Sequence, residues 1–200
     1  MRKSFKFLAI ALASSFALLS FVASDKKLIL IDAGHGGNDC GAKSGSMTEK
    51  NIVMEIARKI QKENSSSNLK IVLLRSSDKF MTLQDRVRMI NEMKPDAVIS
   101  IHVDQEKEQT AKGIAAAVSP QNKFYDQSRK IAENLLQSAG GTGLAKGETT
   151  DGNFFLMKHS DCPAITLHFG NLSNENELSV ITSEKGQTDL ARAILKGLDK

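Results

Sequence analysis

The 200-residue chain contains no tryptophan, one tyrosine and three prolines. It therefore lacks the aromatic platforms on which single-stranded nucleic acids usually stack. Charge of one sign is scarce too. Lys and Arg exceed Asp and Glu by 27 to 23, but Arg2, Lys3 and Lys6 fall within the first 24 residues, which hold no acid; the rest carries 24 cations against 23 acids, a net of +1. So small an excess makes no field that would gather a polyanion, and DNA and RNA are discounted as partners. No repeat, low-complexity tract or interdomain linker is visible, and 40% apolar with 25% charged residues is the balance of one globular domain.

The longest apolar run, Phe7 to Val22, is broken only by Ser14, Ser15 and Ser20. It follows three cations and ends in the small tripeptide Val22-Ala23-Ser24, the grammar of a signal peptide. The run is shorter than the roughly 20 residues that span a bilayer, and polar Asp25-Lys26-Lys27 follows at once. Residues 1–24 are read as a signal peptide cleaved after Ser24, and residues 25–200 as the mature domain. The protein is expected in the periplasm or outside the cell, touching membrane only through an uncleaved signal peptide. No cysteine near the boundary offers a lipid anchor. The two cysteines, Cys40 and Cys162, could bridge in an oxidising compartment and close a long loop, for on the order of 4 kcal/mol. Two unpaired small residues are the alternative.

Leu28 to Ile31, ending at Asp32, reads as a strand buried on both faces. From Thr48 the apolar positions Ile52, Ile56 and Ile60 fall at helical spacing, with Thr48 as a candidate cap. Lys70 to Leu74 is strand-like. Thr82 and Asp85 open a second helix carrying Leu83, Val87 and Ile90, which Pro95 stops. Ala97 to His102 and Gly113 to Val118 read as strands, and Tyr125 to Ser138 as a helix ended by Gly140-Gly141. Residues 139 to 153 read as loop. Phe154 to Met157 and Ala164 to Phe169 are the last strand candidates, and Leu190, Ile194 and Leu198 mark a closing helix. This alternation predicts a single-domain α/β sandwich with a mainly parallel sheet flanked by helices.

In such sheets functional groups gather at the carboxyl ends of the strands. His35 lies three residues after the first strand, Glu49 opens the first helix, His102 ends the third strand and His168 lies near the end of the late one. Two imidazoles and a carboxylate are a normal ligand set for a catalytic zinc with its fourth place open. Singly, each has a bland reading: a hydrogen-bonded histidine, or an acid favouring a helix dipole. Gly34-His35-Gly36-Gly37 is not a phosphate loop, because it lacks both the GxGxxG spacing and a Gly-Lys-Ser/Thr end.

The stretch Leu30-Ile31-Asp32-Ala33-Gly34-His35-Gly36-Gly37-Asn38-Asp39, followed by Thr48-Glu49-Lys50-Asn51, resembles the opening of the zinc-dependent N-acetylmuramoyl-L-alanine amidases of the autolysin and cell-separation type. Leu74-Arg75 with Asp78, Leu83 with Arg86, and Ile99-Ser100-Ile101-His102 follow in the family's order. Pro163-Ala164-Ile165 through Gly170 to Ser173-Asn174 is similar to its closing motif, so the resemblance covers residues 28 to 198. It implies an exported zinc hydrolase that cuts the amide between the lactyl group of N-acetylmuramic acid and the L-alanine of the peptidoglycan stem peptide. The metal ligands it implies are His35, Glu49 and His102, and such a metal would activate water at neutral pH.

The chain departs from the family where the closing motif carries a glutamate that acts as general base and acid; that position is His168. Alternation puts Thr166, His168 and Gly170 on one face of the strand, toward the site. Three readings follow: a proton shuttle, a fourth zinc ligand, or a decayed site. A closed four-ligand shell is the signature of a structural zinc. The third reading leaves a homologue that binds peptidoglycan or regulates wall turnover; a zinc hydrolase for another exported amide is a further alternative. Cys40 stands where the family usually has proline and Asp104 where it usually has asparagine. Asp104, two residues beyond His102, is a candidate to replace the missing carboxylate. His159 reads as a surface loop histidine, and Arg75 and Arg86 either as ion-pair formers or as contacts to the glycan peptide.

Overall fold

A computed structural model describes residues 26–105 and 112–200. The signal-peptide reading falls outside the described residues. Strand β1 (Lys27–Ala33) leads through a short hairpin, β2 (Lys43–Ser44) and β3 (Met47–Thr48), into helix α1 (Glu49–Glu63). Then come β4 (Leu69–Leu73), α2 (Leu83–Met93), β5 (Ala97–Asp104), β6 (Ile114–Val118) and α3 (Tyr125–Ser138). The chain closes with β7 (Lys146–Asp151), α4 (Phe155–His159), β8 (Ala164–Asn171), α5 (Glu175–Thr182) and α6 (Glu184–Leu198). The main sheet has six strands in the order β4-β1-β5-β8-β6-β7. The first four run parallel, β6 runs antiparallel to β8, and β7 is parallel to β6. This is the expected mainly parallel α/β sandwich.

Period-two alternation sorts the strands between two layers. Ile29 and Ile31, Ile99 and Ile101, and Ile165, Leu167 and Phe169 point into the larger core. Helices α1 and α3 cover that face, and α6 packs against both. Leu30, Val98 and Ala164 point the other way, beneath Ile90 of α2 and Leu156 and Met157 of α4. Each fully buried Leu, Ile or Phe contributes roughly 1.5–3 kcal/mol through removal from water. On this second face the register continues as a polar row, Asp32 beside Ser100 beside Thr166, and one step further as His102 beside His168. The apolar layer thus gives way to chemistry at the carboxyl ends of the strands.

Several local expectations need correction. Lys146–Asp151, read as loop, is an edge strand; its sequence is polar because only β6 pairs with it and most of its side chains face water. Phe154 to Met157, read as a strand, lies at the start of helix α4, with Leu156 and Met157 buried and Phe154 and Phe155 exposed. Thr48 flanks α1 without capping it: its hydroxyl has no partner, and the first amides of the helix bond instead to the carbonyls of Ala42 and Cys40. Thr82 does cap α2, accepting from the Asp85 amide at 3.1 Å. Leu83, grouped by spacing with Val87 and Ile90, is 51% exposed, whereas Ile90 is buried.

Both cysteines are free. Cys40 lies in the loop beyond the carboxyl end of β1, whereas Cys162 sits just before the amino end of β8, in the smaller core. In a parallel arrangement these are opposite edges of the sheet. Burial pushes the Cys162 thiol up to about 12, so it is inert.

Candidate active site and metal centre

The loop after β1 is shaped by two buried arginines. Arg75 donates to the carbonyls of Ala33, Gly34 and Lys50 at 2.8–3.2 Å. Arg86 pairs with Asp32 and donates to the carbonyls of Ala33 at 3.0 Å and His35 at 2.6 Å. Asp32 in turn accepts from the Ser100 hydroxyl at 2.8 Å. Both arginines are therefore structural ties, and Arg86 also floors the cleft. They hold His35 at φ +59°, a left-handed conformation that costs a non-glycine residue about 1–3 kcal/mol unless its surroundings enforce it.

Held this way, His35 meets two residues that the sequence places far from it. Its Nε2 lies 3.0 Å from Glu49 Oε2, and His102 Nδ1 lies 2.9 Å from Glu49 Oε1. The Glu49 carboxylate also accepts from the amides of Ala42 at 3.0 Å and Val103 at 3.1 Å. One ligand atom from each of His35, Glu49 and His102 lies within 4.8 Å of the others. Glu49 is buried, while both imidazoles remain partly open to the cleft. Burial pushes the Glu49 carboxyl up, but hydrogen bonds from His102, His35 and the Ala42 amide outweigh it and hold the group well below the usual carboxylate range. The Glu49 hydrogen bond raises His35, against burial, with help from Asp39.

This donor set fits a zinc ion. Two imidazole nitrogens and one carboxylate oxygen converge, with one side open for water or substrate. His35 Nδ1 sits 2.9 Å from Asp39 Oδ2, the carboxylate partner that commonly fixes the ring of a metal-binding histidine. Two glycines leave room for the cluster. A Cβ on Gly34 would come within 2.4 Å of the His102 ring, and one on Gly41, at φ +63°, within 2.5 Å of Glu49 Oε2.

His168 stands beside His102 on the neighbouring strand, their ring centroids 6.0 Å apart, and lies outside the three-residue cluster. It lines a cleft of about 440 Å³ together with His35 and His102. Phe80, Leu83, Phe154 and Phe155, four of the five large apolar side chains exposed among the described residues, line the same cleft. Asp104 does not line it, but its Oδ1 is 2.7 Å from His168 Nδ1. His159 ends α4 on the surface, its ring 4.4 Å from that of Phe155, outside the cleft. A larger opening, about 630 Å³, lies at the amino ends of β1, β5 and β8. No cluster of His, Cys, Asp or Glu converges there among the described residues; chemistry, not size, marks the site. Asp39 and the aromatic rim were not assigned from sequence. Asp39 stood in the quoted motif, four residues after His35, which is the signal that could have flagged it.

A profile of the N-acetylmuramoyl-L-alanine amidases matches residues 29–200. The chain belongs to this family. The uncharacterized protein YqiI of Bacillus subtilis is 28% identical over 179 residues, covering 86% of this chain and 84% of that protein. The probable cell wall amidase LytH of Staphylococcus epidermidis is 30% identical over 176 residues, covering 86% of this chain and 57% of LytH. The amidase AmiC of Neisseria meningitidis is 26% identical over 218 residues, with 88% and 52% covered. The chain thus spans little more than half the length of LytH and AmiC. Among solved structures, an N-acetylmuramoyl-L-alanine amidase of Clostridium difficile 630 superposes with a TM-score of 0.81 at 30% identity, over 88% of this chain and 96% of that one. The catalytic domain of the amidase CwlV from Bacillus (Paenibacillus) polymyxa gives 0.77 at 30% identity, over 86% and 96%.

Proposed function

We propose that the chain is an exported zinc amidase that hydrolyses the bond between N-acetylmuramic acid and L-alanine in peptidoglycan. In this reading residues 1–24 are its signal peptide, His35, Glu49 and His102 hold the metal, and His168 moves the proton. The observation that carries the reading is the convergence of the three ligand atoms within 4.8 Å at the carboxyl edge of the sheet, with His168 on the next strand. Family membership supports the substrate class.

When bound, zinc acts as a Lewis acid on the scissile carbonyl and on the attacking water. The remaining work falls to the chain. Glu49 is fixed by two backbone amides, so the cluster is organised before substrate arrives. His168 takes a proton from the attacking water as the C–O bond forms. It returns that proton to the leaving nitrogen as the C–N bond breaks, so one water is consumed and one carboxylic acid and one amine are released. The rim of Phe80, Phe154 and Phe155 covers the apolar parts of the substrate and keeps bulk water away.

The test is to incubate the zinc-loaded protein with a defined muropeptide and follow the products by mass spectrometry. Release of the intact stem peptide with a free L-alanine amine, abolished by chelation and by His35→Ala, is the expected result. A folded, zinc-loaded protein that binds the muropeptide but releases nothing would replace this reading with that of a wall-binding or regulatory homologue.

A further inference from the structure

An imidazole that relays a proton must present one bare nitrogen to the reaction, and which nitrogen is bare depends on what the other one meets. For His168 the structure answers this. Its Nδ1 lies 2.7 Å from Asp104 Oδ1. An ionised carboxylate only accepts, so Nδ1 carries the hydrogen and Nε2 is left with its lone pair. No described residue hydrogen-bonds Nε2, and the ring lines the cleft.

The pairing is built into the sheet. His102 and His168 are partners across β5 and β8, but the register then slips so that Asp104 stands opposite Asn171. Strand β8 therefore holds one residue more than β5 in this stretch, a bulge absorbed where Gly170 adopts φ +67°. The slip leaves Asp104 at the end of β5, behind the His168 ring and out of the cleft. Its carboxylate thus meets Nδ1 of His168 and lies outside the three-residue cluster.

We propose that Asp104 is the positioning residue of His168: its carboxylate holds the Nδ1–H, fixes the ring and leaves Nε2 as the face that works on substrate. This rests on the amidase reading for its kinetic consequence but not for its tautomer. A carboxylate behind an imidazole also steadies the imidazolium that exists while the proton is in transit. Asp104 and His168 therefore form one unit, and the histidine's competence depends on an acid two residues beyond a metal-cluster residue.

The experiment uses the full zinc-loaded protein labelled with ¹⁵N, its His168 resonances identified by their loss in His168→Gln. Long-range imidazole spectra are expected to show Nδ1 protonated and Nε2 bare in the wild type. In Asp104→Asn the proton is expected to redistribute toward Nε2, with zinc content unchanged. On muropeptide, Asp104→Asn is expected to lower kcat roughly 10²-fold, with KM within about threefold and substantial recovery in Asp104→Glu. A wild-type ring protonated on Nε2 would overturn the proposal, as would kcat in Asp104→Asn within about threefold of wild type. If the wild type cleaves nothing, the amidase reading fails, and the tautomer of the wild-type ring still decides the role of Asp104.

Discussion

Gly34 carries a prediction at the scale of one atom. A methyl group there would lie inside the van der Waals envelope of the His102 ring, and the ring is the part that can move. Gly34→Ala is expected to keep the fold but lower zinc affinity at least about 10-fold, the size of effect that misplaced ligands produce. Metal competition titration beside a melting curve would separate the two effects. The pH dependence of the metal-free protein follows from the same residues. His35 is raised by Glu49, so its stabilising contribution is full below its ordinary 6.5 and fades as pH rises through the raised value. Glu49 is lowered, so its contribution is present above its ordinary 4.5 and fades as pH falls toward its depressed value. Melting temperature in chelator should therefore be highest between about 4.5 and 6.5. Zinc, which needs neutral imidazoles, should shift the best pH upward. A metal-free protein that grows steadily more stable above pH 7 would contradict this coupling. The sequence made the His35, Glu49 and His102 cluster legible because each residue lies at or near a strand end or helix start. It hid Asp39 as the partner of the His35 ring, and it left Arg75 and Arg86 between ion pairs and substrate contacts, since the backbone carbonyls they bond are brought within reach only by the folded loop.

Among the elements, those held by backbone or polar contacts were the hard ones to read. Strands β1, β5 and β8 announce themselves by apolar runs because both faces are covered. Strand β7 has no such run, since its pairing to β6 needs only amides and carbonyls. Helix α4 is too short for a helical period to emerge from Phe154 to Met157. Helix α5 was not foreseen, yet it supplies a tie: Glu177 is buried and accepts from the amides of Lys112, Gly113 and Asn171 at 3.0, 2.6 and 2.8 Å. It joins the start of β6 to the end of β8 near the bulge that sets Asp104. Glu177→Ala is expected to cost about 2 kcal/mol or more in urea unfolding, because each buried amide left unpaired costs about 1–3 kcal/mol. Arg86→Ala, which strands Asp32 as a buried charge, is expected to cost about 3–5 kcal/mol. A change under 1 kcal/mol in either variant would mean that the loop and bulge are held by packing alone.

For the whole molecule, the α/β class and the parallel core were legible from the order of the elements, and the family from motifs spread along the domain. The strand order was not, because alternation says that strands are parallel but not which pairs meet. Nor was the state of the cysteines, which depends on their lying at opposite edges of the sheet. The folded protein should present one thiol to a titrating reagent and the unfolded protein two. Cys40 should react promptly and Cys162 only on unfolding, with no change in melting temperature on adding reductant. A reductant-sensitive melt would reveal a bridge that this topology does not accommodate.

That three residues hold the metal and leave His168 free to work on substrate is the core of the proposed function. Zinc affinity measured by chelator competition in His35→Ala, His102→Ala and His168→Ala tests it most directly. Large losses are expected in the first two and a change within about threefold in the third. A loss in His168→Ala as large as in the others would contradict it, because a fourth protein ligand would close the shell and turn the site into a structural one.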